Sequence, residues 1–486
     1  MSSKITPIEV SPEMKVTVLN DEKLEQIDQA TLTVLEEAGV KFPCEKALKI
    51  LADAGANVDF KSKIVKFPPD LVKNALARAP RAYTMASRGN RELDLYLDGK
   101  KTYLGTDGTG TTTVDLQTRR RRSSAKKDVE ITALISDYLD SISFYWPLVS
   151  AQDMPAAVIP LHELEASFNF TEKHVHIISC IEEDVARYSV EMASVVAGGK
   201  TEMRNRPPLS LLVCTVAPLG QEEGALEAAL VFAEAGLPVG FMAMPTMCST
   251  SPASVASNMV VGNAEIISAL CLIQLAFPGA PVYYSFLPEM LNPHTGGIFS
   301  PAPQKPLLYA GGVDLGHYYN IPVMAYYGGT DAHEPVDWQT GKDNAIDAMF
   351  VCLTGPEVAP VMGLLEAYTL LYPEKLLFDH EIFSTIEKTT EGVEVNSETL
   401  ALDEILAVGP GGHFLNRECT KVNLRKLWKP GITSQWSPKD SDFYKPQEAA
   451  VAKTKWIIEN HKPTPLDDKV KEELKSIIKA AEKERS

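Results

Sequence analysis

Apolar residues recur along this chain with two periods, and the period changes near residue 100. Before that point they return every three or four positions. NDEKLEQIDQATLTVLEEAG predicts an amphipathic helix with Asn20 as N-cap and Gly39 as stop. EKALKILADAGA repeats the pattern, NVDFKSKIVKF reads as a hairpin, and PPDLVKNALARAP as a helix opened by prolines. From residue 102 short apolar runs take over: TYLG, ISFYWPLV, HVHIIS, LSLLVCTV, PVGFMAM, PVYYSFL, PVMAYY and APVMGLL. Amphipathic segments lie between them, among them KDVEITALISDYL, EEDVARYSVEMASVVAGG, QEEGALEAALVFAEAG and DNAIDAMFVCLTG. Near-continuous apolar runs suit parallel strands covered on both faces. Eight strand–helix units over roughly 270 residues predict an α/β chain whose centre is a (β/α)8 TIM barrel. An open doubly wound sheet is the alternative, but GTDGTG after the first run does not lead into a helix as a dinucleotide fingerprint does.

The expected organisation is an N-terminal helical and hairpin region (1–100), the catalytic barrel (101–390) and a C-terminal cap with a terminal helix (391–486). PEKLLFDHEIFSTIEK and VGPGGHFLN belong to the cap, and DDKVKEELKSIIKAAEKER to a solvated end. The longest apolar region, IISALCLIQLAFPGAPVYYSFL, is broken by Gln274 and Pro278-Gly279, so it reads as a buried helix and strand rather than a membrane span.

Composition narrows the function. With 45% hydrophobic and 23% charged residues the chain is that of a soluble globular protein. A formal charge of −17 argues against nucleic-acid and anionic-membrane partners and suits a cationic substrate. The seven cysteines form no CxxC and no zinc-finger spacing, which predicts reduced thiols, mostly packed. MSSKITPIEV has no export pattern, so a cytoplasmic protein is expected, and a homo-oligomer. RRRR at 119–122 reads as a solvated hairpin tip, with a docking patch for an acidic partner as the alternative.

A barrel of this kind carries its chemistry where the strands end. Asp107 follows strand one; Tyr145, Trp146 and Gln152 belong to strand two. Strand six brings Tyr283-Tyr284, Phe286, Glu289 and His294. Strand seven brings Tyr326-Tyr327, Asp331, His333 and Glu334, and strand eight Glu366 and Tyr368. His333, Asp331 and Glu366 are the candidate catalytic residues. Tyr103, Asp107, Tyr145, Trp146, Gln152, Tyr284, Phe286, His294, Tyr327 and Glu334 are the candidate substrate contacts. One tyrosine of each adjacent pair must face the helices. The set is rich in aromatics and carboxylates and poor in lysine and arginine, as a soft cation requires. A quaternary ammonium has no N–H, but aromatic faces hold it at about 0.5–2 kcal/mol each. His174 and His176 fall on one face of a strand and read as packed core. His333, Glu334 and His294 lack a zinc-enzyme spacing, so no metal site is expected.

GGTDAHEPVDWQTGKD, QDMPA, KHVHI, GLLEAYTLLYPEKLLFDHEI and ETLALDEILAVGPGGHFL together resemble the trimethylamine methyltransferase family, over nearly the whole chain. The resemblance implies a barrel enzyme that moves a methyl group from a methylated amine to the Co(I) corrinoid (a cobalamin) of a separate corrinoid protein, with no cofactor tightly bound. Founding members carry pyrrolysine; this chain has only standard residues, which implies the non-pyrrolysine branch. That branch takes quaternary amines such as glycine betaine, proline betaine, carnitine or butyrobetaine, and glycine betaine is the leading expectation, with trimethylamine as an alternative. DAHEPV nearly matches the D-x-H-x-x-G loop of corrinoid-binding domains, but Val336 stands where the glycine would be, so the chain is not expected to hold the corrinoid itself. Another barrel enzyme, a metal-assisted hydrolase or decarboxylase, and a non-catalytic betaine-binding protein are the alternatives.

Overall fold

Eight parallel strands close into a barrel in the computed structural model, which describes residues 4–300, 302–326, 329–433, 436–437, 442–443 and 445–485. They are β1 (Tyr103–Thr106), β2 (Phe144–Tyr145), β3 (His174–Ile177), β4 (Leu209–Cys214), β5 (Val239–Ala243), β6 (Val282–Phe286), β7 (Val323–Ala325) and β8 (Val358–Met362). Each pairs with the next, and β8 closes on β1. The eight apolar runs are these eight strands.

The N-terminal region supplies α1 (Asp21–Glu37), α2 (Glu45–Asp53) and α3 (Pro69–Leu76). Asn20 caps α1 by accepting the Lys23 N–H at 3.1 Å, and the chain leaves the helix through Gly39 at φ 77°. The barrel helices are α4 (Lys126–Tyr138), α5 (Ile159–Phe170), α6 (Glu183–Ala197), α7 (Lys200–Asn205), α8 (Glu223–Ala235), α9 (Val255–Ala276), α10 (Gln304–Tyr318), α11 (Trp338–Thr354) and α12 (Lys375–Thr390). α9 is long and apolar enough to cross a membrane, yet most of it is buried, because α1, α2 and α3 pack on it. Leu24, Leu35 and Leu48 therefore share one continuous core with the barrel strands.

One expectation is corrected. The chain's end is not solvated. After short helices α13 (Ser397–Leu400), α14 (Leu402–Val408) and α15 (Glu418–Leu424) come α16 (Pro446–Asn460) and α17 (Asp468–Glu484). Leu474, Ile477, Ile478 and Ala481 form a stripe that buries α17 against α5 and α6. The arginine run is solvent-exposed, as expected of a hairpin tip. It sits on a hairpin inserted after β1 (Thr112–Val114 and Arg121–Ser123) and is stapled by acids. Arg119 meets Glu374 at 2.6 Å, Arg121 grips Glu366, and Arg122 meets Asp128 at 2.7 Å.

Candidate active site

Side-chain alternation along each strand decides what lines the barrel mouth. On β2 and just beyond, Phe144 and Trp146 point inward, and both rings meet the His176 imidazole edge-on, Trp146 at 5.0 Å between centroids. On β6 Tyr283 points inward, 6.1 Å from His176, and its hydroxyl donates to the Leu211 carbonyl. Gly240 stands beside it on β5, where any side chain would collide with the Tyr283 ring. Beyond β7, Tyr326 faces Trp146 at 6.2 Å. Trp146, Tyr283 and Tyr326 are fully buried aromatic walls, and the Trp146 Nε1 has no hydrogen-bond partner among the described residues.

Carboxylates stand beside those walls. Asp107 caps the end of β1; its own N–H bonds the Met362 carbonyl, and its carboxylate accepts the Gly108 N–H at 2.8 Å. Burial lifts its carboxyl to about 7, against the pull of that N–H and of Lys375. Lys375 and Asp379 form a buried pair one helical turn apart on α12, at 2.7 and 2.8 Å, and Asp379 also accepts the Gly363 N–H. Across the mouth Glu289 pairs with Lys305 of α10 at 2.6 Å. Burial raises the Glu289 carboxyl, Lys305 opposes this, and its Oε1 finds no partner among the described residues. Tyr309, a turn beyond Lys305, and Tyr368 lie within electrostatic reach of Glu289 and of each other.

The rim above is charged. His333 Nδ1 lies 2.6 Å from Glu366, whose two oxygens accept from Arg121 at 2.8 and 2.7 Å. Burial alone would raise the Glu366 carboxyl, but Arg121 and His333 hold it below its usual range. Asp331 accepts the Ser300 N–H at 3.3 Å. Glu366, Ala367 and Tyr368 follow one another at φ 48°, 49° and 71°, a left-handed run that only glycine adopts without strain. Carbonyls of the β7 loop hold it, Ala332 accepting from Glu366 and Thr330 from Ala367. The run aims Tyr368 at the mouth.

Several expected contacts lie elsewhere. Tyr103 is at the opposite, N-terminal end of its strand, where its hydroxyl accepts the Tyr96 N–H. Tyr145 turns to α4, its hydroxyl 2.8 Å from Thr132. Tyr284 turns to α9, donating to Asn263 at 3.2 Å, and Phe286 fills the space left by Gly262 and Gly312 on α9 and α10. His294 is exposed on a loop, and its backbone N–H bonds the Asn292 side chain. Gln152 ties the loops after β1 and β2 together through Thr111 and Ser124. Glu334 is exposed; its carboxylate lies within electrostatic reach of Tyr372, and its carbonyl accepts from Thr340. Tyr327 lies outside the described residues. Tyr283, Tyr326, Tyr309, Lys305 and Lys375 take up the positions that the strand-end reading gave to others. The two barrel histidines share the Ser210 hydroxyl, and burial pushes His174 down to about 4 and His176 well below the usual imidazole range. Among the described residues no group of three or more His, Cys, Asp or Glu side chains is arranged to hold a metal ion.

Comparison with known proteins converges on one group. The family model described as "Trimethylamine methyltransferase (MTTB)" matches residues 2–486. Trimethylamine methyltransferase MttB of Desulfitobacterium hafniense (strain DSM 10664 / DCB-2) is 32% identical over 472 residues, spanning 96% of this chain and 94% of its own. A glycine betaine methyltransferase of Desulfitobacterium hafniense (strain Y51) is 27% identical over 475 residues, spanning 97% and 98%. The crystal structure of the Methanosarcina barkeri monomethylamine methyltransferase aligns with a TM-score of 0.53 at 12% identity, covering 93% of this chain and 90% of that one, a likeness of fold.

Proposed function

Because the chain belongs to the trimethylamine methyltransferase family, we propose that it transfers a methyl group from a quaternary amine, glycine betaine foremost, to the Co(I) corrinoid of a separate corrinoid protein. The observation that carries this reading is the pair of facing rings of Trp146 and Tyr326, beside the buried Asp107 carboxyl, with Tyr283 reached through the His176 imidazole. Rings and a carboxylate attract a cation that has no proton to donate.

The acceptor corrinoid supplies the nucleophile, the electron pair of Co(I). The methyl carbon bonds to cobalt as its C–N bond breaks, and that bond's electron pair stays on nitrogen. The leaving amine is neutral and tertiary, so no proton has to be delivered. The chain's own task is alignment of one N–CH3 toward the open rim and exclusion of water from the rest. A betaine's carboxylate would compete with Glu289 for Lys305, and burial already favours the protonated Glu289 that this exchange leaves. His333 and Asp331 would line the rim, where the corrinoid protein docks. Trimethylamine is the second reading. Its ammonium form carries an N–H that Asp107 can accept.

The test is methyl transfer from a panel of methylated amines to Co(I) cobalamin, followed by the absorbance of methyl-Co(III), and repeated with a cognate corrinoid protein. Transfer from glycine betaine and not from trimethylamine is expected. Transfer from trimethylamine alone would replace the first substrate by the second, and silence with the corrinoid protein present would end the reading. In the same assay His333→Ala should lower turnover about tenfold with an unchanged melting temperature, because the side chain is 77% exposed. Undiminished transfer would remove His333 from the site.

A further inference from the structure

The turn that carries Tyr368 is made of residues that do not favour its shape. Leu364–Leu365 and Leu370–Leu371 pair antiparallel, and residues 366–369 close the hairpin between them. Glu366, Ala367 and Tyr368 are all left-handed there, at φ 48°, 49° and 71°. Glycine or asparagine ordinarily fills such positions, and neither stands in this turn. A glutamate, an alanine and a tyrosine keep that backbone only where the surroundings over-determine it. On one side the Ala332 and Thr330 carbonyls take the N–H groups of Glu366 and Ala367. The other side is held by the arginine run, a motif to which the reaction gives no part.

Four short strands form a small sheet in the order 364–365, 370–371, 112–114, 121–123. The Thr369 carbonyl takes the N–H groups of Thr111 and Thr112 at 3.1 Å each and the Thr112 hydroxyl at 3.0 Å. From the next strand Arg121 reaches across. One guanidinium nitrogen lies 3.3 Å from the Thr112 hydroxyl, and two of them fork onto the Glu366 carboxylate at 2.8 and 2.7 Å. The neighbouring arginines fasten the hairpin itself. Arg119 reaches the buried Glu374 at the start of α12, and Arg122 reaches Asp128 near the start of α4. A planar fork fixes a carboxylate's orientation as well as its place, which a lysine's point charge does not. Glu366 is the first residue of the left-handed run, and Tyr368 is two residues on. The Tyr368 ring lies against Gly329, where a Cβ would stand 2.9 Å from it, and the side chain is within electrostatic reach of Asp107 and Glu289.

We propose that the hairpin of residues 112–123 is a clamp: Arg121, acting through Glu366, holds residues 366–368 left-handed and so sets the Tyr368 ring against the bound cation. Arg121, whose side chain is half-exposed, is then a positioning residue that does not itself touch the substrate. The part played by Tyr368 toward the cation rests on the reading of the mouth given above; the clamp does not.

The test follows Tyr368 directly. The full chain is grown with 3-fluorotyrosine, and the fluorine resonance that vanishes in Tyr368→Phe belongs to Tyr368. Arg121→Met should shift or split that resonance. Arg121→Lys should do the same, because an ammonium does not grip both oxygens as the fork does. Arg120→Met, outside the clamp, should leave it in place. Melting should hardly change in any of these variants, since a half-exposed ion pair contributes little to stability. Titration with tetramethylammonium, a cation without a tail, should move the wild-type resonance saturably. Its dissociation constant should rise about tenfold in Arg121→Met, the worth of one well-placed aromatic face. Ala367→Gly releases the same turn by another route, so Arg121→Met/Ala367→Gly should bind no worse than the weaker of the two single variants. A Tyr368 resonance that Arg121→Met leaves unmoved overturns the clamp. A resonance that moves while the dissociation constant stays the same, or losses that add in the double variant, overturn the positioning role. A wild-type chain that binds no tetramethylammonium overturns the cation reading and the positioning role with it, while the resonance of the free protein decides the clamp by itself.

Discussion

Asp107→Asn should raise KM for a quaternary amine by about a hundredfold at a pH near 8, while kcat falls far less. The charge on nitrogen declines as the C–N bond breaks. A carboxylate at the mouth therefore stabilises the bound cation more than the transition state, and its loss shows in binding. An anion a few ångströms from a desolvated cation is worth about 2–4 kcal/mol at the effective dielectric of such sites, which sets the size of the effect. The wild-type pH profile follows from the same group. Burial holds the Asp107 carboxyl at about 7, so at pH 6 it is mostly protonated and at pH 8 mostly charged. kcat/KM should rise with pH through about 7 and then level, and the asparagine variant should be low and flat. Stability runs the other way. The folded value lies above the unfolded one of about 3.9, so what this group contributes is fully present below about 4 and is lost as pH rises through 7. A bound cation offsets that loss, so the rise in melting temperature caused by substrate should be larger at pH 8 than at pH 6. A wild-type profile without an inflection near 7, or an asparagine variant with unchanged KM, would remove Asp107 from the site.

Lys375→Met should lower the unfolding free energy by about 3–5 kcal/mol, the largest loss expected from one substitution here. Both members of the Lys375–Asp379 pair are about 1% exposed, and among the described residues removing the ammonium leaves the buried carboxylate with the Gly363 N–H and Asn344 as its hydrogen-bond partners. The double variant Lys375→Met/Asp379→Leu should recover most of the loss, since it removes the stranded charge as well. Thermal melting of the three proteins decides the point. If the single and double variants melt alike, the charge is not what Lys375 neutralises.

The barrel was legible because the period change near residue 100 and the eight spaced apolar runs are consequences of burial, which the sequence records directly. The rim was legible in part, since Asp331, His333, Glu334 and Glu366 follow strand ends. What periodicity leaves open is the phase of alternation. Tyr283 and Tyr284 are equivalent within their own strand, and which one points inward is decided by neighbours: Gly240 makes room inside, while Gly312 and Gly316 in GGVDLG make room outside. Small residues on adjacent elements were the missing signal. Tyr103 failed for another reason. A strand rising about 3.3 Å per residue carries its first and last positions to opposite ends of the barrel. The grip of Arg121 on Glu366 joins residues 245 positions apart, and no local pattern reveals it.

The left-handed run at Glu366, Ala367 and Tyr368 bears on how this chain can be improved by selection. Strain in a backbone is free energy kept out of the folded state's depth, and at Ala367 a single methyl group is what keeps it there. Glycine at that position would let the loop relax, and Tyr368 would lose its fixed aim in the same step. A screen that rewards heat resistance alone would therefore collect this replacement early and report success, while the enzymes it kept were becoming slower. Thermostable relatives with glycine at this position would carry that history in one codon.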